Sequence, residues 1–189
     1  MKSIRILIAA LALLLLVPVS SYAIVDFGAY GGYSFANIDT GAKQDDIRGW
    51  EYGAFAHLNT GLPMLFTVGI GGFYQANSST LEVNKKDIDV SRNMYGIDAM
   101  FTLELPLLPV NPFARAGIAI NESYELKLPG SKAEDKKFKA YFFALGAGYK
   151  VFPMTSLFLE YMYTMSDRDN DVTINTHSVH IGAMINIGI

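Results

Sequence analysis

The sequence has no cysteine. That excludes disulfide staples, thiolate metal sites and a lipid-modified N-terminal cysteine. Histidine is scarce, three in 189 residues. His177 and His180 lie three positions apart, which on a strand turns them to opposite faces, and His57 falls at a different depth. No metal site and no cofactor are expected. After one apolar run near the N-terminus, no stretch reaches the roughly 20 residues of a membrane-spanning helix. Basic residues are fewer than acidic ones, 15 against 18, so a phosphate backbone has little to bind and nucleic acid is not an expected partner.

What is present starts with Met1-Lys2-Ser3-Ile4-Arg5, two positive charges without an acid, followed by an apolar run over 6–17. Ser21 and Ala23 then place small residues at the −3 and −1 positions of a signal-peptidase site. Residues 1–23 are therefore expected to be a cleaved signal peptide, and 24–189 one domain with no further domain after it. Without Lys2 and Arg5, 13 basic residues face 18 acidic ones, a net charge of −5. Half the residues are hydrophobic. An exported chain this apolar must bury its apolar surface or present it to lipid.

Period-two alternation recurs over eight segments, about 25–35, 50–59, 65–76, 93–105, 112–121, 140–151, 157–166 and 178–189. The fourth is the clearest, with Tyr95, Ile97, Ala99, Phe101, Leu103 and Leu105 set against Gly96, Asp98, Met100, Thr102 and Glu104. Three connections are short, uncharged and proline-containing, at 59–63, 106–111 and 152–155; four are longer and charged, around 39–48, 77–92, 122–139 and 167–175. Segments of about ten residues suit tilted membrane strands, and the alternating connections suit short periplasmic turns opposite long outer loops. The fold expected is all-β, an eight-stranded antiparallel up-and-down transmembrane barrel.

The rival is a soluble secreted barrel with an apolar interior. Here one face of nearly every segment lacks charge, while the other mixes glycine, alanine and small polar residues with the ionisable ones. Eight strands enclose space only for side chains, which small residues fit and rows of Tyr, Leu and Ile do not. An arginine or lysine facing lipid near mid-membrane costs about 2–4 kcal/mol, so the charged face is assigned inward. At the loop end of the apolar face, Tyr33, Trp50, Tyr52, Tyr74, Tyr95, Tyr141 and Tyr163 read as a membrane-interface girdle.

In the last segment, His180-Ile181-Gly182-Ala183-Met184-Ile185-Asn186-Ile187 resembles the C-terminal signal by which the barrel-assembly machinery recognises outer-membrane barrels, although the chain ends in Ile189 rather than Phe. Pro112-Phe113-Ala114-Arg115-Ala116-Gly117 is similar to a Pro-aromatic-x-x-x-Gly stretch found in such barrels. The chain as a whole resembles the small eight-stranded outer-membrane proteins, the family that includes the OmpA transmembrane domain and OmpX. The resemblance implies residence in the bacterial outer membrane, with its lipids as partners.

Inward ionisable residues are Asp26, Glu51, His57, Asp98, Glu104, Arg115, Lys150, Glu160 and His180. Counting back from the short turns pairs Glu104 with Arg115 and Lys150 with Glu160, giving an internal charge network. With Phe55, Phe73, Phe142, Phe158, Met100 and Met162 also inward, the lumen is expected to be filled, and a wide general porin is excluded by strand number. The function expected is structural or surface-interacting and non-enzymatic, with the charged loops as the surface for an extracellular ligand. The longest, 77–92 and 122–139, carry the alternating Leu81, Val83, Ile88 and Val90 and the cluster Lys132-Ala133-Glu134-Asp135-Lys136-Lys137. The alternatives are a narrow ion or water channel gated by the network, and a lipid-modifying enzyme built on Ser178, His180 and Glu160. The acidic stretch 167–171 lacks the glycine and distal glutamate of a calcium loop.

Overall fold

The computed structural model describes residues 24–39, 44–62, 66–83, 86–104, 108–127, 134–168 and 172–188. The signal peptide expected over 1–23 lies outside the described residues. Eight strands follow one another: β1 (Ile24–Asp39), β2 (Gln44–Leu62), β3 (Phe66–Val83), β4 (Lys86–Leu103), β5 (Val110–Lys127), β6 (Glu134–Phe152), β7 (Thr155–Arg168) and β8 (Val172–Gly188). Each pairs antiparallel with the next, and β8 closes on β1.

Carrying the register round gives the barrel's stagger. Ile24 lies opposite Asn59, then Gly69, Met100, Arg115, Ala144, Met162 and Ser178, and Ser178 returns to β1 at Ser34. From 24 to 34 is a shift of ten residues over eight strands. At ordinary strand spacings this tilts the strands by roughly 40°, and each residue then advances about 2.5 Å along the barrel axis.

The sequence makes room inside by placing glycines opposite rings. Tyr30, Phe55, Phe73, Phe113, Phe142 and Phe158 all point inward and are buried. Their cross-strand partners are Gly53, Gly28, Gly96, Gly146, Gly117 and Gly182. A Cβ at Gly28 or Gly117 would fall on the ring of Phe55 or Phe142. The outer face is the reverse. Among the described residues, twenty-nine large apolar side chains are exposed there and at the short turns, Trp50 at 70%, far more than the scattered apolar residues of a water-soluble surface. With the stagger applied, the seven aromatics expected as a girdle fall within about 7 Å of one another along the axis.

The strands are longer than the expected ten residues, running from 14 to 19. The four charged connections are thus largely hairpin, because alternation such as Leu81, Val83, Ile88 and Val90 keeps the ladder going, with Val83 opposite Lys86. The β3–β4 hairpin rises roughly 20 Å beyond the aromatic ring. A bulge on β5 interrupts the period-two alternation. Tyr95 faces Asn121 while Gly96 faces Ala119, so Ile120 is unpaired with β4. The inward set passes from Phe113, Arg115 and Ala119 to Glu122 and Tyr124, re-aiming the strand as bulges do.

Candidate functional site: the charged lumen

Nine side chains form one continuous polar chain along the lumen. His57 Nε2 lies 2.9 Å from Asp98 Oδ1. The Asp98 Oδ2 accepts from Arg115 Nη2 at 2.8 Å and Nε at 3.0 Å. Arg115 Nη1 donates to Glu160 Oε2 at 3.1 Å and Oε1 at 3.3 Å. His180 bridges Glu160, 3.2 Å from Nδ1, and Glu51, 2.6 Å from Nε2. Arg92 Nη1 lies 3.8 Å from the other Glu51 oxygen, and its Nε donates to Glu122 at 2.6 Å. Ser166 donates to the same Glu122 oxygen at 2.9 Å.

Most of these links jump over a strand, from β2 to β4, β5 to β7 and β8 to β2, which only a narrow lumen permits. The chain covers about 20 Å of the axis. Its members are almost inaccessible to solvent, Arg115 at 1% and His180 at 0%. Rings seat the cations: Phe55 lies 4.5 Å from the Arg115 guanidinium carbon, and Tyr30 stacks tilted on His180 at 4.5 Å. Four carboxylates face two guanidiniums here. The imidazole of His180, with a carboxylate at each nitrogen, satisfies both only when both nitrogens carry protons.

The structure joins Glu51, Asp98, Arg115, Glu160 and His180 of the expected network but not Glu104 or Lys150. Both pairs read from the sequence are corrected. Arg115 lies opposite Met100 and reaches Asp98 and Glu160; Lys150 lies opposite Ser156, while Glu160 faces Gly146 and His180. The reason is turn length. β6 and β7 run almost to the Pro153-Met154 tip, which leaves Lys150 at the mouth with Glu104. Arg92 and Glu122 were missed because they fall in stretches read as loop. Had the alternation of β5 simply continued, Glu122 would point outward; only the bulge at Ile120 turns it in.

The other candidates separate cleanly. His177 faces outward, with the Tyr161 hydroxyl 2.6 Å from its Nδ1, while His180 faces the lumen. Ser178 and His180 share the inner face as expected, buried at 1% and 0%. Tyr33 packs edge-on against Trp50 on the outer surface, and Tyr74 lies directly opposite Tyr95.

Solved structures of similar shape are small outer-membrane barrels. Neisserial surface protein A aligns with a TM-score of 0.63 at 15% identity, covering 84% of this chain and 96% of that one. OprG, an outer membrane protein of Pseudomonas aeruginosa, gives 0.54 at 9% identity, covering 89% and 99%. Ail, the attachment invasion locus protein of Yersinia pestis, gives 0.51 at 17% identity, covering 85% and 98%. No curated protein matches the sequence. This chain forms a closed eight-stranded barrel, apolar outside and charged within, and a family model matches its residues 9–186: the chain belongs to the outer membrane protein beta-barrel domain family.

Proposed function

We propose that this outer-membrane barrel is non-enzymatic, with a lumen closed by its charge chain, and that it acts in envelope structure or surface interaction through the four long hairpins. The observation that carries this reading is the unbroken buried chain from His57 to Glu122, packed between Phe55, Phe142, Phe158, Met94 and Met162. Opening a conducting path would require parting several buried charge pairs, each at considerable cost. In this reading outer-membrane lipids meet the apolar band, the short turns lie in the periplasm and the hairpins project outside, where they are the surface for an extracellular ligand. Ail bears attachment in its name and was solved with a heparin analogue, a precedent for this shape rather than for this chain.

The enzyme alternative has less support. Ser178 is enclosed in the lumen, away from lipid, and both His180 nitrogens face carboxylates, leaving none to activate a hydroxyl. Two measurements test the proposal together. Reconstituted into planar bilayers, the protein should show no current steps above background, and incubated with lipid A it should leave the lipid mass unchanged. Discrete conductance steps would replace the reading with a channel, and a deacylated product with an enzyme.

A further inference from the structure

We propose that the short-turn mouth of the lumen is a binding cup for a small zwitterion bearing a primary ammonium group. A cavity of about 200 Å³ opens there. That is below the roughly 300–1,000 Å³ of drug-sized sites, so it admits only a small molecule. Phe113 and Met184 line its inner end and separate it from the charge chain above.

The cup holds charges the chain does not use. The Asp26 carboxylate accepts amide protons from Asn59 and, at 2.5 Å, from Asn186. Committing its amide nitrogen to Asp26 fixes the orientation of Asn59 and leaves its Oδ1 packed against Gly69. That oxygen is buried and has no hydrogen-bond partner, in a residue only 5% exposed. Glu104 and Lys150 line the same cup, and neither forms an ion pair among the described residues. Asp26 and Glu104 supply acceptors along the cup wall, and an ammonium brings three donors. Lys150, three strands round from Asp26, supplies a cation for an anionic group on the same ligand. The cup's own charge of −1 ranks a zwitterion first, a plain amine second and a plain carboxylate last.

The test uses the full barrel, isotope-labelled and in lipid nanodiscs, titrated with 4-aminobutyrate, butylamine and butyrate while amide shifts are followed. Saturable shifts should centre on Asn59, Asn111 and Asn186 with 4-aminobutyrate, weaker ones with butylamine and none with butyrate. Glu104→Gln and Lys150→Gln, both at the rim, should each weaken 4-aminobutyrate about tenfold, the worth of one charged hydrogen bond. Gly148→Leu should abolish binding, because a Cβ there meets nothing closer than 3.9 Å and the added chain grows into the cup. Heat-modifiable gel mobility checks that each variant is folded, and the two rim variants decide the matter if Gly148→Leu is not. Absence of saturable shifts, equal response to butyrate, or unchanged affinity in the folded variants would overturn the proposal.

Discussion

Replacing Arg115 by methionine tests the charge chain at its most connected point. The substitution keeps a long side chain in place but removes four hydrogen bonds of 2.8 to 3.3 Å. Asp98 and Glu160 then stay buried, each with a single imidazole, His57 or His180. Removing one partner of a buried ion pair costs about 3–5 kcal/mol. Against a total stability of roughly 5–15 kcal/mol, a loss of about 4 kcal/mol lowers the folding constant about a thousandfold. Urea unfolding in lipid vesicles measures it, with the lone Trp50 as the fluorescent reporter. The control is Arg115→Met combined with Asp98→Asn and Glu160→Gln, which removes the stranded charges. It should recover more than half the loss. A single variant losing under about 1 kcal/mol, or a triple variant no better than the single, would refute the electrostatic reasoning.

Three further outcomes follow from the same geometry. Glu122→Ala should destabilise by about 3 kcal/mol, since it leaves buried Arg92 with the Glu51 oxygen at 3.8 Å as its remaining carboxylate among the described residues, beside Met94 Sδ at 3.4 Å and the Tyr124 ring; the same urea titration measures it. Gly28→Ala should cost about 1–3 kcal/mol by overpacking against Phe55, and Phe55→Leu in that background should restore part of the loss; equal stability of single and double variants would count against the ring-over-glycine packing. Trp50, 70% exposed on the outer face, should be quenched more by lipids labelled near the headgroup than by lipids labelled at the chain ends; the reverse order would remove it from the membrane interface.

The barrel was legible because alternation reports which face each residue takes, and a closed sheet leaves only two faces. Phe158, Glu160 and Met162 could be placed inside from period two alone. Pairing across the lumen was not legible. Register read from a turn gives neighbours on adjacent strands, yet Arg115 meets Glu160 over the top of β6, and His180 meets Glu51 over β1. Those meetings depend on barrel radius and stagger, which no local pattern carries. Hairpin height was lost for a different reason: charged residues such as Arg92 and Glu122 look like loop until the bulge and the continuing ladder show that they face inward.

The bridge from His180 to Glu51 has a mechanical consequence. β1 and β8 form the seam where the first and last strands meet, and in a circular sheet that seam is the natural place to unzip. Here the clasp straddles it: peeling the terminal strands apart must pull a buried imidazole off a buried carboxylate as well as unfasten backbone bonds. Sideways opening of this seam toward the bilayer therefore costs a buried charge pair on top of the backbone ladder.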